Sequence, residues 1–189
     1  MKTALCMYYD KRREAYADIS LPGARAWAAA NGIEPIIWSD DEYPDPYMRK
    51  IQMIDANLAE FDRVIYADVD CLFRPGAAAP DLLFAWPVNA SYDGNGLCTG
   101  FMTMQRSVGV QRLLRVWSDL GSGDASRFRQ WHDQATLLLL HENWRWVQDL
   151  VGLIPTSLVS HCTCPPGLVA YHNGSWGDGL KRMREFRWP

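Results

Sequence analysis

Two aspartates set two residues apart, Asp68 and Asp70, carry the most chemistry in this sequence. They follow Arg63-Val-Ile-Tyr-Ala67, a run of β-branched and aromatic residues that reads as a buried strand, and they precede Cys71-Leu-Phe73. Such a strand delivers both carboxylates to its C-terminal edge, where open α/β sheets hold their ligands. Two hard oxygen donors there suit Mg²⁺ or Mn²⁺, and either ion can bridge the oxygens of a diphosphate. The cation would stabilise the charge that develops as a diphosphate leaves. The plain alternative is a pair of strand-end carboxylates capping a turn.

The five cysteines (Cys6, Cys71, Cys98, Cys162 and Cys164) show no repeated spacing. His161-Cys-Thr-Cys164 has metal-binding residue types but no second matching pair, so reduced thiols in or near the core are the better reading.

The elements around the Asp-x-Asp alternate between short apolar runs and amphipathic helices, which predicts an α/β layer fold. Thr3 to Tyr9 reads as a buried first strand, and Pro22 to Ala30 as a helix stopped by Asn31-Gly32. Pro35 to Trp38 makes a second strand. Ile51, Ile54, Leu58 and Phe61 share one face of a helix spanning about Tyr47 to Glu60. Leu82 to Val88 and Gly100 to Gln105 read as strands, and Val110 to Leu120 as a helix. A further helix covers Arg129 to Glu142, and Val151 to Ile154 makes a last strand before a polar, loop-rich tail.

The chain has 189 residues and 48% hydrophobic residues, enough for one domain spanning residues 1–189. Lys and Arg total 19 against 22 Asp and Glu, without a basic block, so a nucleic-acid partner is not expected. No apolar stretch reaches the roughly 18 residues of a spanning helix, and the N-terminal run is cut by Asp10-Lys-Arg-Arg13. The expectation is a cytoplasmic protein without an integral membrane segment.

Tyr66-Ala-Asp68-Val-Asp70-Cys-Leu-Phe73 resembles the Asp-x-Asp motif of GT-A nucleotide-sugar transferases, especially the retaining glycogenin-like (family 8) groups. Four other pieces fall in the order those families use. Arg49-Lys50-Ile51 lies on the preceding helix, where a basic residue often faces the donor. Cys98-Thr-Gly100-Phe-Met-Thr-Met104 is similar to their Asn-Ser/Ala-Gly segment, with Thr99 standing where Asn is usual. Trp131-His-Asp133-Gln134 resembles the Asp-Gln helix start beside the sugar. His172-Asn-Gly174 with Lys181 resembles the C-terminal His-x-x-Gly-x-x-Lys, although the spacing to Lys181 is longer.

The resemblance implies a GT-A mixed sheet flanked by helices. It implies a metal-dependent transferase moving a hexose from a nucleotide-sugar, with UDP expected, to a carbohydrate or glycoside acceptor with retention. Asp68, Asp70 and His172 would hold Mn²⁺ or Mg²⁺, and imidazole is a natural third ligand beside two carboxylates. Lys50, Asp68 and Lys181 would meet the donor, and Asp133 and Gln134 the sugar. Tyr8 and Tyr9, at the end of the first strand, are candidates to stack on the base.

Each has a plainer reading. Asp133 and Gln134 suit an ordinary helix start; Arg49 and Lys50 suit a solvated helix face; the two tyrosines suit a core, as do the 9 tryptophans, Trp86 and Trp176 among them. Two rival functions follow. A haloacid-dehalogenase-type phosphatase would use Asp68 and Asp70, but it wants Thr at position 72, where Leu72 stands, and its motif on the first strand. A GT-A-like domain that binds sugar or nucleotide without catalysis is the other.

Overall fold

The computed structural model describes residues 1–41, 45–94, 96–122, 132–162, 164–174 and 177–189. In chain order the elements are β1 (Thr3–Asp10), α1 (Glu14–Ala30), β2 (Glu34–Asp40), α2 (Pro46–Leu58), β3 (Arg63–Ala67), β4 (Cys71–Phe73), β5 (Val88–Tyr92) and β6 (Leu97–Gln105). There follow α3 (Val108–Gly121), α4 (His132–Asn143), α5 (Arg145–Gln148), β7 (Val151–Leu153), β8 (Val159–His161), β9 (Ala170–His172) and α6 (Gly179–Glu185). The helix start expected at Arg129, together with Trp131 and Trp176, lies outside the described residues.

Six strands form a mixed sheet in the order β2-β1-β3-β6-β5-β7. β1 runs parallel to β2 and β3, while β6 is antiparallel to both β3 and β5, and β7 returns parallel to β5. A smaller sheet, β4-β9-β8, packs beside it.

Period-two alternation along the central strands decides the layers. Ala4, Cys6, Tyr8, Val64 and Tyr66 point into one core, with Ile51, Ile54 and Leu58 of α2, Leu113 and Trp117 of α3, and Leu137 and Leu140 of α4. Leu5, Met7, Ile65 and Ala67 point into the other, with Ala17, Ala24 and Trp27 of α1, Phe73 of β4 and Met183 of α6. The sheet is therefore flanked by helices on both faces, as expected.

Three expectations are corrected. α1 begins at Glu14 rather than Pro22 and carries Pro22 inside it. Proline removes one intrahelical bond, yet Tyr16, Ala17 and Ser20 before it and Ala24, Trp27 and Ala28 after it are all buried, so packing overrides the local preference. Leu82 to Val88 is not a strand: Asp81–Phe84 is a 3₁₀ turn, and β5 starts only after Pro87, which has no N–H to give a ladder. The tail is not merely loop, because it supplies β8, β9 and α6.

Candidate active site

β3 ends at Ala67, and a tight turn returns the chain as β4, with the Cys71 amide donating to the Asp68 carbonyl at 2.9 Å. The turn sends the two aspartates different ways. Asp68 faces α2: its Oδ1 accepts from the Tyr66 hydroxyl at 2.9 Å and lies 3.3 Å from Lys50 Nζ. Asp70 faces β9, where its Oδ1 comes within 3.2 Å of His172 Nε2.

β6 supplies the wall between them. Its pairing with β5 jumps from Ala90↔Met102 to Ser91↔Cys98, so residues 99–101 bulge away from β5 while Phe101 stays paired with Ala67 of β3. Bulges re-aim side chains next to functional sites. Here the bulge turns the Gly100 carbonyl onto the Asp68 amide at 2.8 Å and onto Cys71 Sγ at 3.3 Å. Gly100 is glycine for a steric reason. A Cβ there would stand 2.2 Å from Cε1 and 2.5 Å from Nε2 of His172, whose ring lies directly over it.

Lys50 is not on a solvated face. It is 3% exposed, with its ammonium 2.8 Å from Asp133 Oδ2. It also donates to the Thr99 carbonyl at 3.3 Å. The Thr99 hydroxyl closes the ring of contacts by donating to the same Asp133 oxygen. Burial alone would lower the lysine pKa, but Asp133 and Asp68 override it and raise it, so the charge is locked in. Asp133 itself is 2% exposed, and its carbonyl accepts from Trp117 Nε1 at 2.9 Å, which ties the site to the core. Gln134 reaches outward instead, donating to Asp93 Oδ2 at 2.8 Å.

Around Asp70 and His172 the electrostatics are strongly perturbed. Burial pushes the Asp70 carboxyl up, yet the His172 charge wins and holds it below its ordinary value. For His172 burial opposes protonation, and Asp70 with Cys71 and Cys98 overcomes it, raising its pKa well above the usual range. Asp68 is raised, chiefly by burial, against the opposing pull of Lys50. His161, edge-on to His172 at 5.1 Å between ring centroids, is lowered to about 4 by burial and then by the His172 charge.

A divalent cation fits this end of the site. Asp70 Oδ1 is buried and forms an ion pair with His172 Nε2 at 3.2 Å. A carboxylate oxygen beside an imidazole nitrogen becomes a pair of metal donors once the imidazole gives up its proton. The ligand atoms of Asp70, Cys71 and His172 all lie within 4.8 Å of one another.

The other sequence candidates are spread around this centre. Tyr8 is buried in the α2-side core with its hydroxyl unpartnered among the described residues, and Tyr9 is half-buried. Lys181 is exposed on α6, whereas its neighbour Arg182 is half-buried and donates to the carbonyls of Asn173 and Gly174, each at 3.3 Å. Sequence reasoning missed Tyr66, Cys71 and Asp10. Asp10 ends β1 buried, with Arg12 on Oδ2 and no partner on Oδ1 among the described residues. Its place at the end of the first strand was the available signal.

No family model and no curated protein matches the sequence. Solved structures do match. One is a glycosyltransferase involved in the glycosylation of the major capsid of PBCV-1, with a TM-score of 0.75, 8% identity and coverage of 98% of this chain and 100% of that one. The fold is GT-A-like. A second match is the glycosyltransferase GlyE of Streptococcus pneumoniae TIGR4, with a TM-score of 0.62 at 13% identity; it covers 93% of this chain and 56% of that one. Identities this low carry the architecture alone. Among the described residues no helix is long and apolar enough to cross a membrane.

Proposed function

We propose that the chain is a metal-dependent glycosyltransferase that moves a hexose from a nucleotide-sugar, UDP-linked by the sequence resemblance, to a hydroxyl of a carbohydrate or glycoside acceptor with retention. The observation that carries this reading is the buried Asp70–His172 pair just past the C-terminal edge of β3, in a fold shared with glycosyltransferases. Asp70 and His172, together with Asp68, would hold Mn²⁺ or Mg²⁺, which when bound would supply positive charge to a leaving diphosphate.

The remaining work falls to the chain's own groups. The base lies against the end of β1, where the Tyr8 hydroxyl and Asp10 Oδ1 have no hydrogen-bond partner among the described residues and Tyr9 is half-buried. Lys50, fixed between Asp133 and Asp68, places a permanent positive charge behind the metal carboxylates without needing to reorganise during reaction. Gln134, reaching outward from α4, and Asp133 behind it line the sugar. Lys181 adds charge from α6. The acceptor hydroxyl attacks the anomeric carbon, and the leaving phosphate assists its deprotonation.

The test is a thermal-shift titration with UDP, with and without MnCl₂, on the wild type and on Asp70→Ala. A ligand that binds only the native state raises the melting temperature. At 100 times Kd it contributes about 2.7 kcal/mol, or roughly 5 to 10 °C at this chain length. A Mn²⁺-dependent rise, lost in Asp70→Ala, is expected. No rise with any nucleoside diphosphate, together with hydrolysis of a simple phosphomonoester, sinks the proposal in favour of a phosphatase.

A further inference from the structure

Cys71 is the residue the proposed mechanism leaves unused. It directly follows Asp70 and sits opposite His172 in the β4–β9 pairing, so both side chains leave the small sheet on the same face. Its thiol is fully buried and donates to the Gly100 carbonyl at 3.3 Å, under the same bulge that shapes the site. Asp70, His172 and Cys71 thus offer one oxygen, one nitrogen and one sulfur within 4.8 Å of one another. Zinc bonds of about 2.0–2.3 Å put tetrahedral ligand atoms about 3.5 Å apart, so closing this set takes a shift of about an ångström. Cys98 stands on the far side of the imidazole, with its sulfur 3.5 Å from Nδ1. It holds the ring from behind and leaves Nε2 turned to the set.

Resting on the metal site of the proposed function, we infer that Asp70, Cys71 and His172 form a second, thiophilic coordination set, and that Zn²⁺ or Cd²⁺ bound there excludes the hard cation the reaction uses. The two sets share Asp70 and His172, so they cannot be filled together. Mn²⁺ and Mg²⁺ favour oxygen and nitrogen, whereas a thiolate selects the softer ions, and zinc outranks manganese at mixed sites. Entry of the soft ion replaces the Cys71 thiol proton and the His172 Nε2 proton by metal–sulfur and metal–nitrogen bonds, and both protons leave to solvent.

The experiment is a Cd²⁺ titration of the metal-free full chain, following the ultraviolet thiolate-to-cadmium charge-transfer band, with bound Mn²⁺ measured in parallel by electron paramagnetic resonance. Wild type, Cys71→Ser and His172→Asn are compared after circular dichroism confirms that each is folded. His172→Asn keeps all five cysteines, so it tests the set even if the Cys71 variant does not fold. The expected result is a one-to-one band in the wild type, absent from both variants, with Mn²⁺ released as cadmium enters. Zinc should displace Mn²⁺ from Cys71→Ser only at concentrations raised more than the roughly 10-fold cost of losing an outer-shell partner. A band that persists in either variant overturns the inference, as does cadmium binding that leaves Mn²⁺ in place. A wild type that binds Mn²⁺ without giving the band overturns this inference and leaves the catalytic reading standing. One that gives the band and binds no Mn²⁺ overturns the catalytic reading and, with it, the exclusion inferred here.

Discussion

Replacing Gly100 by alanine tests the geometry of the site through a single methyl group. The backbone there is ordinary strand, so alanine itself is not strained. The obstacle is His172, whose Cε1 would lie 2.2 Å from the new Cβ and whose Nε2 and Nδ1 would lie at 2.5 and 2.8 Å. Ordinary carbon contact begins near 3.5 Å, so the ring must retreat by about 1.3 Å. It cannot do so freely: Asp70, Cys98 and His161 surround it, and its backbone is paired to Cys71. Overpacking of this kind costs about 1–3 kcal/mol, which at this chain length is roughly 2 to 12 °C in melting temperature. Moving Nε2 away from Asp70 should weaken Mn²⁺ by at least the roughly 10-fold that loss of an outer-shell partner costs. The assay is a pair of melting curves with and without Mn²⁺ and UDP. Gly23→Ala serves as control, because nothing stands within 4 Å of a Cβ at that helical position and helix propensity favours alanine. A Gly100→Ala protein that melts with the wild type and keeps its Mn²⁺ affinity refutes the placement of His172.

Lys50→Met should leave Asp133 buried without its cation and cost about 3–5 kcal/mol in urea unfolding; a loss below about 1 kcal/mol would contradict the buried pair. Lys50→Met combined with Asp133→Leu should recover most of that stability while abolishing sugar transfer, measured from a UDP-sugar. Acid should destabilise the metal-free fold through His161. Unfolded, it takes its proton near its ordinary 6.5; folded, it waits until about 4, so between those values the unfolded chain binds more protons and stability falls as pH falls. Urea midpoints for the wild type should therefore drop across that window relative to His161→Asn, and parallel curves would contradict the buried, neutral ring.

The parts of this site that were legible in the sequence are those whose surroundings were local. β3 and the Asp-x-Asp stood out because four apolar residues after Arg63 lead straight into two carboxylates, and the observed strand, Arg63–Ala67, has the expected bounds. What the sequence could not show was that the two carboxylates part company. That depends on the β3–β4 turn and on β9, a three-residue strand too short to display any alternation. The misreading of Lys50 has the same origin. Its place beside Ile51 on an amphipathic helix allows either a solvated or an inward position, and only Thr99 and Asp133, 49 and 83 residues away in sequence (99 − 50 and 133 − 50), decide for burial. Thr99 is the instructive case. It stood out in the sequence as a departure from the Asn usual in the families resembled, and here its hydroxyl is given to Asp133, which in turn holds Lys50. A short side chain on a bulged strand thus helps to tether a buried cation through Asp133. Those contacts seal Asp133, while Gln134 remains turned outward and donates to Asp93.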